Sequence, residues 1–125
     1  MCICTLYATL DMETFPYTIE YYLTEKGEKP FKEWLDGLKD IRARQKVRVR
    51  LDRVRLGSLG RNRSVGEGVF ELKIDYGPGY RVYYGLEERA VILLLLGGGK
   101  SSQGEDIVLA REYWKDHKRR KKHGS

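Results

Sequence analysis

The sequence has few of the residues that would hold a metal, close a disulfide or cross a membrane. Its two cysteines, Cys2 and Cys4, lie too close together for a useful disulfide loop. No second cysteine pair and no His-x-x-x-His motif supplies the remaining ligands of a zinc site. No stretch approaches the roughly 18 apolar residues of a membrane helix, and the N-terminus lacks the pattern of a secretory signal. We therefore expect a cytoplasmic protein that needs no metal or other cofactor.

Positive charge is abundant and unevenly distributed. The chain of 125 residues carries a formal net charge of +6. Arginine and lysine concentrate in residues 42–63 and again in residues 115–122, each with a single aspartate among them. Such clustering favours a polyanionic partner, although a solvated helix face and a soluble tail would look the same. The length suits one domain, which we place at residues 17–117, with an N-terminal extension at 1–16 and a disordered basic tail at 118–125.

Residues 69–84 predict a β-hairpin. Alternation in Val69 to Asp75 places apolar and polar side chains on opposite faces of a strand, and it resumes from Arg81. The intervening YGPGY is rich in turn formers and predicts a five-residue loop at 76–80. We expect Asp75 opposite Arg81 and Lys73 opposite Tyr83. Lys73, Arg81 and Tyr83 then share one exposed surface.

The rest of the chain supplies one strand before the hairpin, one after it and three helices. Alternation predicts the first strand at 17–23, and helical spacing predicts helices from Pro30 to Leu38 and from Ile41 to about Leu56, the latter capped by Asp40. Residues 57–68 look like a long basic loop, 90–96 like a central strand, and the segment after Ser102 like a final helix. The predicted fold is α+β, in the order β-α-α-β-β-β-α. It has a small antiparallel meander, an N-terminal helical hairpin and a C-terminal helix.

Three separated segments resemble one known protein family. They are PFKEWLDGLKD at 30–40, GEGVFELKIDYGPGYRVYY at 66–84 and LLLLGGGKSSQGEDIVLA at 93–110. In this order they resemble the RelE/HigB/ParE superfamily, the toxins of type II toxin-antitoxin systems. The similarity is greatest to the phage-derived addiction module killer proteins near HigB.

The resemblance implies a RelE-like fold and an endoribonuclease that cleaves mRNA on the ribosome. It also implies a helix-turn-helix antitoxin of the HigA kind, encoded nearby, that binds and neutralises the toxin as an oligomer. One alternative is a ParE-like toxin that inhibits DNA gyrase without cutting RNA. Another is a nucleic-acid-binding module without catalytic activity.

The same resemblance assigns the scissile phosphate to Arg81, Lys73 and Lys100. Arg81 suits bidentate binding of phosphate oxygens, although it could instead pair with Asp75 across the hairpin. Either lysine could act as base, as acid or as electrostatic support, and Glu71 is an alternative base. For RNA binding, Tyr83 could stack on a base or orient the substrate, or it could equally be packing as one of nine tyrosines. We expect Arg61, Arg63 and Arg48 to hold phosphates. Gln103 and Asp106 we assign to capping of the last helix, and neither His117 nor His123 lies where a catalytic histidine is expected.

Overall fold

A five-stranded sheet with helices on both faces forms the protein in a computed structural model that describes residues 16–124. In space the strands run in the order β1-β5-β4-β3-β2. Along the chain the elements are β1 (Thr18–Tyr21), α1 (Pro30–Gly37), α2 (Ile41–Arg55), β2 (Asn62–Ser64), β3 (Val69–Ile74), β4 (Tyr80–Glu87), β5 (Val91–Gly99) and α3 (Gln103–Gly124). Apart from Pro16, the predicted N-terminal extension lies outside the described residues, as do both cysteines.

The predicted order of elements is wrong, and the predicted antiparallel meander is only part of the sheet. The observed order is β-α-α-β-β-β-β-α, with an additional strand inside the segment predicted to be a loop. Strand β1 joins the sheet on the far side of β5 and runs parallel to it, with Thr18 opposite Val91. The sheet is therefore mixed. Alternation within a strand predicts that the strand exists but carries no information on which neighbour it pairs with.

Strand β2 was missed because it has no apolar alternation. Its three residues, Asn62, Arg63 and Ser64, are all exposed, and glycines stand on both sides of it. It forms as a short edge strand by pairing with β3, which sets Arg63 directly opposite Glu71. Cross-strand pairing of opposite charges stabilises such a strand without help from a hydrophobic pattern.

Helices α1 and α2 cover one face of the sheet, as their periodicity predicts. Pro30 occupies the start of α1, and Phe31 and Leu35 point into the core. The carboxylate of Asp40 accepts hydrogen bonds from the backbone N–H groups of Arg42 and Ala43, which confirms the predicted cap of α2. The sheet contributes Leu72, Ile74, Val82, Tyr84, Ile92 and Leu94 to this core, with Phe70 at its margin.

The register of the β3–β4 hairpin differs from the prediction by two residues. Lys73 lies opposite Arg81, and Ile74 lies opposite Tyr80, so the loop spans 75–79. Asp75 does not face Arg81 but accepts a hydrogen bond from Arg61, just before the unpredicted strand β2. Because a shift of two residues preserves the faces of a strand, the predicted division into two surfaces still holds.

Helix α3 covers the other face of the sheet and runs through the segment predicted to be a disordered tail. Trp114 and Ala110 pack on Val69, Tyr83 and Leu95 there. Beyond Trp114 the helix carries ion pairs of Arg119 and Arg120 to Asp116. Charge pairs at this spacing support a helix in a strongly basic sequence. None of the helices in residues 16–124 has a stretch long and apolar enough to cross a membrane.

Replacing Gly97 with alanine should destabilise the fold, because its Cβ would lie 2.1 Å from the ring of Trp34. Overpacking of this kind costs roughly 1–3 kcal/mol of unfolding free energy. Urea denaturation should show a lower midpoint with an unchanged slope. Gly104→Ala is the matched control: its Cβ would meet nothing within 4 Å in α3, so alanine should be neutral or stabilising there. Equal effects of the two changes would contradict the packing argument.

Candidate functional site

Two cross-strand rows of side chains line the α3 face of the sheet near its β2 edge. Register places Arg63, Glu71 and Tyr83 in the first row, on β2, β3 and β4. The second row holds Lys73 opposite Arg81, and Arg61 just before β2 accepts a backbone hydrogen bond from Lys73. The sheet thus brings three cations from separate segments side by side.

The second row is electrostatically unfavourable by itself. Neighbouring strands lie only about 4.8 Å apart, and like charges that face each other destabilise a sheet. Asp75 offsets part of the repulsion, at 2.8 Å from Arg61 and 3.7 Å from Lys73. Glu71 offsets another part, at 2.9 Å from Arg63 and 3.6 Å from Arg81. Two carboxylates thus face four basic side chains, and positive charge remains in excess on this surface.

Arg81 is the most unusual member of the row because it is buried and incompletely satisfied. The residue is only 8% exposed. Its Nε and Nη1 atoms are buried and have no hydrogen-bond acceptor among the described residues. A buried donor without a partner costs about 1–3 kcal/mol, more when it is charged. The guanidinium therefore has two donors available for an acceptor that residues 16–124 do not supply.

A pocket of about 430 Å³ opens over Arg81. Four basic side chains, one carboxylate and two amides line it: Arg61, Arg63, Lys73, Arg81, Glu71, Asn62 and Gln103. We call this the cationic pocket. A second cavity of about 330 Å³ adjoins it at Lys73 and Arg81 and reaches Lys100. A group with several anionic oxygens suits this lining, because guanidinium groups bind such oxygens in a fixed fork geometry.

The comparisons with known proteins give a family but no activity. No family model matches the chain. A curated relative from Haemophilus influenzae is 44% identical over 81 residues, which is 65% of this chain and 82% of the relative. This chain belongs to the family of that Haemophilus protein. The relative is itself named only as an uncharacterized protein.

Glu71 is a fixed carboxylate at the floor of the cationic pocket. Arg63 donates to its Oε1 at 2.9 Å, and Gln103 donates to its Oε2 at 2.8 Å. Burial alone would raise its pKa, but these hydrogen bonds and the charges of Arg63 and Arg81 outweigh burial and hold the pKa below the ordinary value. Both oxygens are engaged and the carboxylate is a weak base, so its geometry suits positioning of the arginines.

Tyr83 does not reach the surface, so of the roles left open for it the structure supports packing and contradicts stacking on a nucleic-acid base. It is fully buried under α3, and burial followed by the charges of Glu71 and Asp106 raises the pKa of its hydroxyl. Alternation placed it correctly on the face of Lys73 and Arg81 but did not show that α3 covers that part of the face. The close contact of α3 with the sheet is evident at Gly85, where an added Cβ would collide with the ring of Trp114.

The other predicted site residues divide into those inside the cationic pocket and those outside it. Arg61, Arg63, Lys73, Glu71 and Arg81 line it together. Lys100 lies outside it but shares the adjoining cavity with Lys73 and Arg81.

Two further residues lie away from the cationic pocket. Arg48 is exposed on α2, where its charge acts on Lys32 and Asp36 of α1. His117 lies on α3, paired with Glu87 at 2.9 Å and stacked on Trp114.

Two residues line the pocket without having been predicted there, Asn62 and Gln103, and of these Gln103 contacts the carboxylate of Glu71. We expected it only to cap α3, yet its amide donates to Glu71 across the pocket. It is Ser102 that has the local role, since its hydroxyl donates to Asp106 at 2.6 Å. An amide at a helix start has no distinctive spacing, so no sequence signal pointed to this contact.

Glu71→Gln should lower the free energy of unfolding at neutral pH. The variant should then lose less of that free energy in acid than the wild type loses. Because the folded pKa of Glu71 lies below its unfolded value of about 4.3, the carboxylate stabilises fully above that value. The contribution disappears as the pH falls through the folded pKa. Removing the charge leaves Arg63 and Arg81 without their partner, at a cost of about 1–3 kcal/mol. Urea denaturation between pH 7 and pH 3 measures both effects.

The matched control for this change is Glu67→Gln. Glu67 is exposed and pairs with Lys115 at the surface, so its replacement should change stability less. Identical pH profiles for wild type and Glu71→Gln would show that Glu71 does not contribute.

Proposed function

We propose that this chain is the toxin of a type II toxin-antitoxin system, of the kind represented by the RelE/HigB/ParE superfamily, and that it cleaves mRNA on the ribosome. The observation that carries the proposal is the buried Arg81 with two nitrogens lacking an acceptor, beside Lys73 and Arg61. The three matching sequence segments also support it.

The chemistry is attack of a ribose 2′-hydroxyl on the neighbouring phosphorus. The bond to the 5′-oxygen of the next nucleotide breaks, which leaves a cyclic 2′,3′-phosphate and a free 5′-hydroxyl. The phosphorane carries more negative charge than the starting phosphate, so fixed cations stabilise it most. Arg81 takes this role in the proposal because its guanidinium is always charged, buried and able to hold two oxygens at once.

Lys73 and Arg61 support Arg81 electrostatically. Lys73 lies opposite Arg81, and Arg61 adjoins Lys73 in the same row. Glu71 holds Arg63 and approaches Arg81 at 3.6 Å, and its lowered pKa argues against a role as general base. We therefore propose Glu71 as a positioning residue and Arg81 and Lys73 as the residues that contact the phosphate.

A neighbouring antitoxin of the helix-turn-helix type is the proposed partner. Apolar side chains are exposed on the strand and helix where we expect it to bind: Leu23 just after β1 is 43% exposed, and Val49 on α2 is 47% exposed. Exposed apolar groups of this kind gain free energy when a partner covers them.

Induction of the protein in translating cells should produce new mRNA 5′ ends within reading frames, and Arg81→Ala should abolish them. Loss of a transition-state contact to a buried cation typically lowers a rate by about 100-fold or more. Sequencing of RNA 5′ ends measures this, and a supercoiling assay run beside it tests gyrase inhibition.

Arg89→Ala is the matched control, since it removes an exposed arginine in the turn between β4 and β5, outside the cationic pocket, and should leave the cuts in place. Intact mRNA together with blocked supercoiling would refute the nuclease and favour a gyrase inhibitor. Full toxicity of Arg81→Ala would refute the assigned site whichever target is hit.

Co-expression with the product of the adjacent gene tests the partner. The two proteins should co-purify as a stable complex, and Val49→Asp should weaken that complex because it places a charge in the apolar contact. Lys39→Asp, an exposed charge change between α1 and α2, is the control. Failure of the wild-type proteins to co-purify would contradict the toxin-antitoxin assignment.

A further inference from the structure

Three glycines in succession, Gly97, Gly98 and Gly99, end strand β5, and packing explains only the first two. A Cβ at Gly97 would meet the ring of Trp34 at 2.1 Å, and one at Gly98 would meet the carboxylate of Asp106. At Gly99 the nearest atom would be a backbone oxygen at 4.0 Å, and no positive φ requires glycine there. The missing side chain at Gly99 instead keeps a space open.

That space is a cleft of about 540 Å³ at the end of the sheet. Its wall is formed by Pro78, Gly79, Tyr80, Gly99, Lys100 and Ser101. Tyr80 is partly buried and held edge-on by Trp34, with ring centroids 6.2 Å apart. Proline, a fixed aromatic ring and bare glycine backbone make a rigid and largely apolar wall. A flat aromatic group suits such a wall better than a charged group does.

The cleft is continuous with the cations that surround Arg81. Lys100, Pro78 and Gly79 line both this cleft and the cavity that contains Lys73 and Arg81. Register sets Tyr80 opposite Gly99 and Arg81 opposite Gly98, and because neighbouring residues of a strand face opposite ways, the two pairs lie on opposite faces of the sheet. The cleft therefore meets the cavity of Arg81 around the end of the sheet, at Lys100, Pro78 and Gly79. A ligand that lies across both has an anionic part at Arg81 and Lys100 and a flat part beside Tyr80 and Gly99.

We propose that the cleft of Pro78, Gly79, Tyr80 and Gly99 binds the nucleobase of a nucleotide adjacent to the phosphate at Arg81, with Lys100 neutralising that nucleotide's own phosphate. This inference rests on the proposed function, because it takes the ligand to be an RNA strand. It gives Lys100 a role in binding substrate, whereas the sequence grouped it with the catalytic residues. It also gives the protein a surface that distinguishes a base-bearing strand from a bare polyanion.

The test compares two trinucleotides of 2′-O-methyl RNA, one intact and one with an abasic central residue. Both carry the same phosphates, and neither can be cleaved because the attacking hydroxyl is blocked. Affinities are measured at one salt concentration, since phosphate binding depends on salt. Wild type should bind the intact strand at least about fivefold more tightly, the lower end of base stacking on an aromatic side chain. Amide NMR shifts specific to the intact strand should occur at Gly79, Gly99 and Lys100.

Gly99→Val should remove this preference and bind both strands with the affinity of the abasic one. Valine suits the end of a strand, and its side chain enters the cleft without meeting other atoms at Cβ. Gly37→Ala is the control, since its Cβ also meets nothing within 4 Å, and it should keep the preference. Arg81→Ala should lower the affinity for both strands by the same factor.

Each outcome separates the base-binding cleft from the phosphate site. If wild type binds both strands equally and Arg81→Ala weakens that binding, the base-binding cleft is refuted and the phosphate site stands. If Gly99→Val abolishes the base preference and Arg81→Ala changes the affinity for neither strand, the cleft is supported and the role of Arg81 is overturned. Absence of binding to either strand overturns both. The wild-type comparison and its NMR shifts decide the question even if Gly99→Val does not fold.

Discussion

The carboxylate of Glu71 is the interaction on which the site depends. It lies buried on β3 beside β2, β4 and the start of α3, and each of these three neighbours sends a polar group toward it: Arg63, Arg81 and Gln103. A buried cation is tolerated only where an opposite charge and hydrogen bonds compensate its desolvation. Glu71 supplies the opposite charge to Arg81, but Nε and Nη1 of Arg81 still have no hydrogen-bond acceptor among residues 16–124. The same carboxylate therefore stabilises the guanidinium and leaves it able to bind an anion.

This arrangement explains why α3 matters to a surface formed mostly by strands. Gln103, the first residue of α3, fixes one oxygen of Glu71, while Trp114 further along fills the space above Gly85. Helix α3 thus covers the row that contains Tyr83 and leaves the row of Lys73 and Arg81 uncovered. A sheet without α3 would expose Tyr83 and Glu71 to water, and the low-dielectric environment that strengthens charge interactions at Arg81 would be lost.

Sequence patterns predicted the faces of the strands well and their neighbours poorly. Period-two alternation identified Lys73, Arg81 and Tyr83 as sharing a surface, and the structure agrees. It could not show that Tyr83 lies under a helix, because coverage is a property of distant residues such as Trp114. Asp75 was paired with Arg81 because its real partner, Arg61, adjoins a strand without any hydrophobic pattern. Helical spacing predicted α1 and α2 themselves, although Ile41 at the start of α2 is 62% exposed. No local sequence pattern predicts the contact from Gln103 to Glu71.

The parallel pairing of β1 with β5 has a consequence for the order in which the chain folds. The β3–β4–β5 meander joins near neighbours in sequence, so it closes with little loss of chain entropy. Strand β1 must wait for β5, and the Tyr22 hydroxyl donates to Asp116, 94 residues further along the chain. During synthesis β1 therefore has no sheet partner until β5, which begins at Val91, has been made. The cover over Tyr83 belongs to α3, the last element, so the surface around Arg81 is complete only with the whole of residues 16–124.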